Sequence, residues 1–316
     1  MQIAVDFGIK NDPRGPKAIK SELSKAKEAF KKLSQKDKEY YDQDRLINPY
    51  ADTRILYGKS DTKIETVLVG VDMETSEILL ADRLRERGEK IDLVMGHHPE
   101  GRAYANFSEV MGMQADILHQ YGVPINVAEG IMKSRIKEVA ERVMPANHQR
   151  PVEAARLLDI PYVCIHTPAD NSVTTFLQKI FDQKDPQTVE DVLDLLKEIP
   201  EFQASMRIGT GPQVLVGSKD NRCGKIFVDM TGGTGGSKLA FEKLAHTDRG
   251  TVVGMHIGDA HKKEAEKNNI NVVIAGHMSS DSLGINLILD ELLKKGLKKV
   301  ICCSGVHRVS RLKQKS

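Results

Sequence analysis

TVLVGVDMETSEILLADRLRERGEKIDLVMGHH, Thr66 to His98, sets the pattern for most of the chain. TVLVG is an apolar run too short for a helix, ETSEILLADRLRERG carries helical periodicity, and IDLVMG is a second short run that stops at two histidines. Such runs fit strands buried on both faces, and strands alternating with helices predict sheets with helices packed against them. Downstream come a helix through ADILHQYG, a strand VPINV, helices ending near Leu158 and the strand YVCIHT. The second half repeats the rhythm with VLVG, KIFVDM, a glycine loop, TVVGMH, NVVIAGH, a helix to Lys295 and VICCS. The expected class is therefore α/β, with Asp185–Pro186 as the lobe boundary and lobes at 61–184 and 185–316.

The first 60 residues differ. Ile19, Leu23, Ala26, Phe30 and Leu33 recur at spacings of four and three, which predicts an amphipathic helix, with the charged KDKEYYDQDR as its solvated continuation. This extension is expected to dock on the main body or on a neighbouring subunit, and no chemistry is assigned to it.

Composition excludes several classes of function. Hydrophobic residues make up 40% and charged ones 28% of the 316, an ordinary globular balance. A net charge of +2, from 46 basic and 44 acidic side chains, gives no general field for nucleic acid or a lipid surface. No apolar run approaches the roughly 18–20 residues that span a bilayer, and the first residues lack the order of a secretion signal. Cys164, Cys223, Cys302 and Cys303 show no CxxC spacing, which fits reduced thiols in a cytoplasmic protein. The absence of Trp argues against a base-stacking platform.

The chemistry gathers where strands end. LVGVD ends at Asp72, IDLVMG at His97 and His98, YVCI at His166 with Asp170 four residues on, and NVVIAG at His277 with Asp281 four on. In α/β sheets ligands bind at the carboxyl ends of strands, so such residues converge although they are distant in sequence. Any one of these histidines alone could cap a turn; four in equivalent places point to metal. Consecutive residues leaving a strand face opposite sides, so His97 and His98 could serve two ions. Asp170, with two carboxylate oxygens, is the expected bridge, His166 could be a ligand or an outer-shell group orienting one, and Asp72 is a further outer-shell candidate. Ser279 or Ser280 is the expected N-cap of the last long helix, with Asp281 in its first turn. His256 could line the cleft, and His119, His148, His246, His261 and His307 are expected at the surface. The loop Thr231, Gly232, Gly233, Thr234, Gly235, Gly236, Ser237 matches neither the P-loop nor GxGxxG, yet its N–H groups suit a phosphate.

In order and spacing, LVGVDMETSEILLADRL, IDLVMGHHP, IHTPAD, TGGTGGS and NVVIAGHMSSDSLG resemble the Nif-three-like family, also catalogued as GTP cyclohydrolase I type 2 homologues. The resemblance runs from about residue 64 to 303. It implies two related α/β lobes with mixed sheets, a toroidal hexamer, and two metals in the cleft held by His97, His98, Asp170, His277 and Asp281. This chain departs from the family in carrying Asp281 where Glu is usual, a longer segment between GHHP and HTPAD, and no glycine-rich continuation after Asp170. Imidazole and carboxylate suit Zn, Fe, Mn or Co. The expected activity is dinuclear metal-dependent hydrolysis of a phosphorylated or nucleotide-like small molecule. The rival expectation is a non-enzymatic, metal-holding oligomeric scaffold for partners or a regulatory nucleotide. Nucleic-acid binding is disfavoured by charge, although a toroid could gather lysines at its hole.

Overall fold

A computed structural model describes residues 1–313. Among the described residues, nine strands form two mixed sheets: β1 Arg54–Tyr57, β2 Thr66–Gly70, β3 Leu93–Gly96, β4 Tyr162–Cys164, β5 Gln213–Val216, β6 Lys225–Asp229, β7 Arg249–Gly254, β8 Asn271–Ile274 and β9 Lys299–Cys302. One sheet runs β1-β4-β3-β2-β9 and the other β5-β8-β7-β6. In each, a single edge strand (β1 or β5) is antiparallel and the rest are parallel. The α/β class with helix-covered mixed sheets is thus observed. Two strands cross the divisions drawn from sequence: β1 lies within the N-terminal 60 residues, and β9 returns from the second half to pair with β2.

Alternation along the strands decides what covers each face. Val67, Val69, Met95 and Val163 pack against Ala169, Ile285, Ile288 and Leu289, while Leu68, Val94 and Tyr162 pack against Ile78, Ala81 and Ala155 on the opposite side. In the second sheet Ile226, Val228, Val253 and Val273 meet Val173, Leu177 and Leu283, and Phe227, Val252 and Val272 meet Ile117, Leu118 and Met132. Two helices, Thr167–Lys184 and His277–Lys294, therefore lie between the sheets and contribute to both inner cores. They cross tightly at Gly284, where an added Cβ would come within 2.5 Å of the Ala169 carbonyl oxygen.

VPINV is not a strand. Val123 and Pro124 lead into the helix Ile125–Val143, with Pro124 at its N-cap. The β-branched residues at 123, 125 and 127 are outweighed by the helix-forming stretch AEGIMKSRIKEVAERV that follows them. The N-terminal segment docks on the main body: the helix Gln2–Lys10 packs on both central helices, with Gly8 pressed on Pro168. The expected amphipathic helix is present as Pro16–Lys32, with Ile19 alone fully buried.

Candidate metal centre

Register brings the strand ends together. Gly70 pairs with Gly96 and Gly96 with Cys164, so Asp72, His97, His98 and His166 leave one edge of the first sheet. After β3 the backbone N–H groups of His97 and His98 continue to donate to Val71 O, which fixes where the two rings start. In the second sheet Asp229 pairs with Gly254 and Gly254 with Ile274, which aligns Asp229, His256 and His277. The two edges face each other across a cleft.

The clustered atoms can be traced one by one. Asp281, wholly buried, has Oδ1 3.5 Å from His97 Nε2 and Oδ2 3.6 Å from His98 Nε2 and 3.4 Å from His277 Nε2. Asp170 Oδ1 lies 3.4 Å from His97 Nε2, and its Oδ2 lies 3.8 Å from His166 Nε2. The ring pairs His97–His98, His97–His166 and His98–His277 have centroids 5.3, 4.7 and 5.2 Å apart. Three overlapping groups here could each hold a metal ion: His97/His98/His166, His98/His277/Asp281 and His97/Asp170/Asp281.

The other nitrogen of three rings is occupied. His97 Nδ1 is 3.1 Å from Ile165 O, His98 Nδ1 is 2.6 Å from Asp72 Oδ1, and His166 Nδ1 is 2.8 Å from Asp52 Oδ2. A carbonyl or carboxylate oxygen can only accept, so each Nδ1 carries a hydrogen, and in the neutral ring each Nε2 lone pair turns toward the cluster. There His97 Nε2, Asp170 Oδ1 and both oxygens of Asp281 are buried without a hydrogen-bond partner. Buried polar atoms are rarely left unpaired, and four aimed at one place fit a cation. Electrostatics agree. Burial opposes charge on His97, but the Asp281 and Asp170 carboxylates outweigh it and raise its pKa well above the ordinary value. Burial likewise opposes ionisation of Asp281, yet His97, His98 and His277 hold its pKa far below the carboxylate range. At His277 burial prevails over Asp281 and the pKa is lowered.

The five residues expected to meet do so, with four points of detail. Asp281 lies between His97 on one side and His98 and His277 on the other, while Asp170 lies between His97 and His166. His166, expected as either a ligand or an outer-shell group, points its own Nε2 into the cluster. The last long helix starts at His277 behind Gly276, whose φ of 106° makes the turn, so Ser279 and Ser280 lie inside it and bond back to Gly276 O. His277 and Asp281 consequently sit one above the other at i and i+4. Asp52 was missed altogether. It lies in the extension given no chemistry, is fully buried, and also accepts from Thr167 Oγ1 at 2.6 Å. Burial works against its charge, but His166 more than compensates and its pKa is lowered.

Around the cluster lies a cavity of about 710 Å³ whose lining includes His98, His166, Asp170, His256, His277, Asp281 and the glycine loop. The loop is held from behind. Gln114 donates to the carbonyls of Gly232 and Thr234, Arg135 to that of Gly235, and His261 to that of Gly236. Among the described residues, the N–H groups of Gly232 to Ser237 enter no backbone–backbone hydrogen bond. His261 is therefore a cavity residue, contrary to its expected surface place, because the helix Asp259–Lys267 turns it inward under the loop.

Fold and cluster together define a two-sheet α/β protein with a buried His/Asp site able to hold metal in its cleft. No protein-family profile matches the chain and no curated protein does. Among solved structures, a NIF3 superfamily protein from Sphaerobacter thermophilus is 30% identical, with 81% of this chain and 92% of that one covered and a TM-score of 0.71. Reduced HcgD from Methanocaldococcus jannaschii shares the fold at 16% identity, covering 84% and 94%, with a TM-score of 0.51. The chain belongs to the NIF3 superfamily. No described helix is long and apolar enough to cross a membrane.

Proposed function

We propose that the protein is a dinuclear metal-dependent hydrolase acting on a phosphorylated or nucleotide-like small molecule. The observation that carries this reading is the set of four buried, unpartnered atoms on His97, Asp170 and Asp281. His97, His166 and Asp170 would hold an inner ion, His98 and His277 an outer one, and Asp281 would bridge them. Two divalent cations there would supply Lewis-acid polarisation and water activation at neutral pH. The chain's own part is to fix the ligands. Asp52, Asp72 and the Ile165 carbonyl lock three imidazoles in the tautomer that offers Nε2. The N–H groups of Thr231 to Ser237 would receive an anionic substrate group, since Gln114, Arg135 and His261 hold four of the loop's carbonyls. The open cavity beside His98 and His277, the two more exposed rings, admits substrate to the outer side.

The same reading takes the protein as cytoplasmic and homo-oligomeric, a hexamer by family resemblance, which analytical ultracentrifugation tests. For the activity, the protein is loaded with Mn, Fe, Co or Zn, its metal counted by elemental analysis, and a panel of phosphodiesters and nucleoside triphosphates screened beside His97→Ala. About two ions per chain and turnover lost in the variant are expected. Failure to retain any of these metals sinks the proposal; retention without turnover of any substrate leaves the scaffold reading in its place.

A further inference from the structure

Part of the cavity is built by the second sheet and the helices Met113–Gln120 and Ile125–Val143. Its wall there is apolar, with Ile117, Leu118, Met132, Phe227, Phe241 and Leu244. Five carboxylates line the whole cavity: Glu74, Glu100, Asp170, Asp229 and Asp281. Asp170 and Asp281 face imidazoles. Glu74 caps the helix Thr75–Glu86, and Glu100 sits near Arg150. Among the described residues Asp229 has neither a hydrogen-bonding side chain nor an ion-pair partner, and no cationic side chain acts on it, whereas Glu100, with none within 4 Å, feels Arg150.

Its position is fixed by the strand. Asp229 is the last residue of β6 and lies two after Phe227, so both project from the face that looks into the cavity. Asp229 is exposed at the end of the strand, on the lining of the cavity, and desolvation by the surrounding protein lifts its pKa to about 6. A carboxylate beside an apolar wall favours a cationic partner there, and among the described residues none pairs with it.

We propose that Asp229 and the apolar wall form a subsite for a ligand carrying a cationic nitrogen group, an amidinium or ammonium, on an apolar or aromatic body. Asp229 is then a specificity residue that selects among molecules able to reach the metal side. The proposal rests on this cavity being the ligand site, as in the function above, but it does not require the metals to be catalytic. It also balances charge in the ligand: an anionic group at the glycine loop and a cationic one at Asp229 would describe a zwitterion.

The test titrates the full chain, metal-loaded, with benzamidine and with benzamide, its neutral near-isostere, by calorimetry. Benzamidine is expected to bind about tenfold tighter or more, the size of one charge-assisted pair, and Asp229→Asn to erase the difference. Equal binding of the two probes, or a preference that survives in a folded Asp229→Asn, overturns the proposal. A wild-type crystal soaked with benzamidine gives a readout that does not depend on the variant folding: the amidinium on Asp229 supports the subsite, and an amidinium seated only on Glu100 or Asp281 refutes it. His98→Ala separates the two readings, because the benzamidine preference should persist there even when the metal is lost.

Discussion

HTPAD at 166–170 and HMSSD at 277–281 occupy matching places in the two halves. Each follows a parallel strand, β4 or β8, and each opens one of the two helices that lie between the sheets. What surrounds them differs. His166 is 6% exposed, with the buried Asp52 behind its Nδ1, and its partner Asp170 faces only His97 and His166. His277 is 37% exposed, has no hydrogen bond to another described side chain, and lies against the rings of His98 and His256. Its partner Asp281 faces three imidazoles. The first lobe thus supplies a braced inner half, and the second supplies the shared carboxylate together with an imidazole that borders open space. A site that must both hold ions and admit a substrate needs one half of each kind.

The largest effect is expected from removing the shared carboxylate. Asp281→Asn should lower metal affinity at both halves by at least about 100-fold, beyond what loss of an orienting partner alone causes. Asp170→Asn should deplete the inner half and leave the outer one near normal. Elemental analysis after gel filtration, with circular dichroism as a check on folding, distinguishes the two. Equal depletion in both variants would break the asymmetry drawn between the halves.

Next in size is the brace. Asp52→Asn should weaken the inner half by roughly 10- to 100-fold, whereas Asp72→Asn, behind the more exposed His98, should cost less than that. Competition with a chromogenic chelator measures both. An Asp72→Asn effect as large as that of Asp52→Asn would mean that burial of the brace does not matter.

These expectations could be framed only in part from sequence, and the reason is physical. Strand ends were legible because an apolar run stopping at His or Asp reports both the end of the strand and the edge on which its side chain emerges. The same rule, applied to KIFVDM, would have singled out Asp229. Which carboxylate is shared was not legible: both H-x-x-x-D segments offer two oxygens, and the choice depends on how the central helices cross at Gly284. Asp52 gave no signal, since it pairs with His166 across 114 residues and sits in a polar stretch resembling a turn. The glycine loop showed its flexible composition, but Gln114, Arg135 and His261, which hold its carbonyls, come from three different helices.

The helix crossing carries a smaller prediction. In Gly284→Ala the new methyl would lie 2.5 Å from the Ala169 carbonyl oxygen, backbone that cannot move without displacing Asp170 beside it. Overpacking of this kind costs about 1–3 kcal/mol. Denaturant unfolding should show that loss, accompanied by a change in metal affinity at the inner half, because the same shift moves Asp170 relative to Asp281. Destabilisation with untouched affinity at both halves would show that the crossing does not set the site.

The smallest expected effect concerns the open side and runs toward greater stability. The Asp229 carboxyl is raised to about 6 by desolvation, against an ordinary 3.8. Between those values the folded chain holds a proton that the unfolded chain has released, so stability falls as pH rises through this window and the penalty is complete above it. Asn cannot ionise and escapes the penalty. Because Asp229 is itself exposed, solvent screens most of that penalty, so Asp229→Asn should melt at or only slightly above the wild type at pH 7.5, with any gap closing between pH 7 and pH 5, which scanning calorimetry of the pair can follow. Because the comparison is a difference, other groups that titrate in both proteins cancel. An Asn variant less stable than the wild type at pH 7.5 would mean that Asp229 is satisfied within the fold. A more stable one would mark the residue as kept against stability, which is what a cavity side chain awaiting a cationic ligand requires.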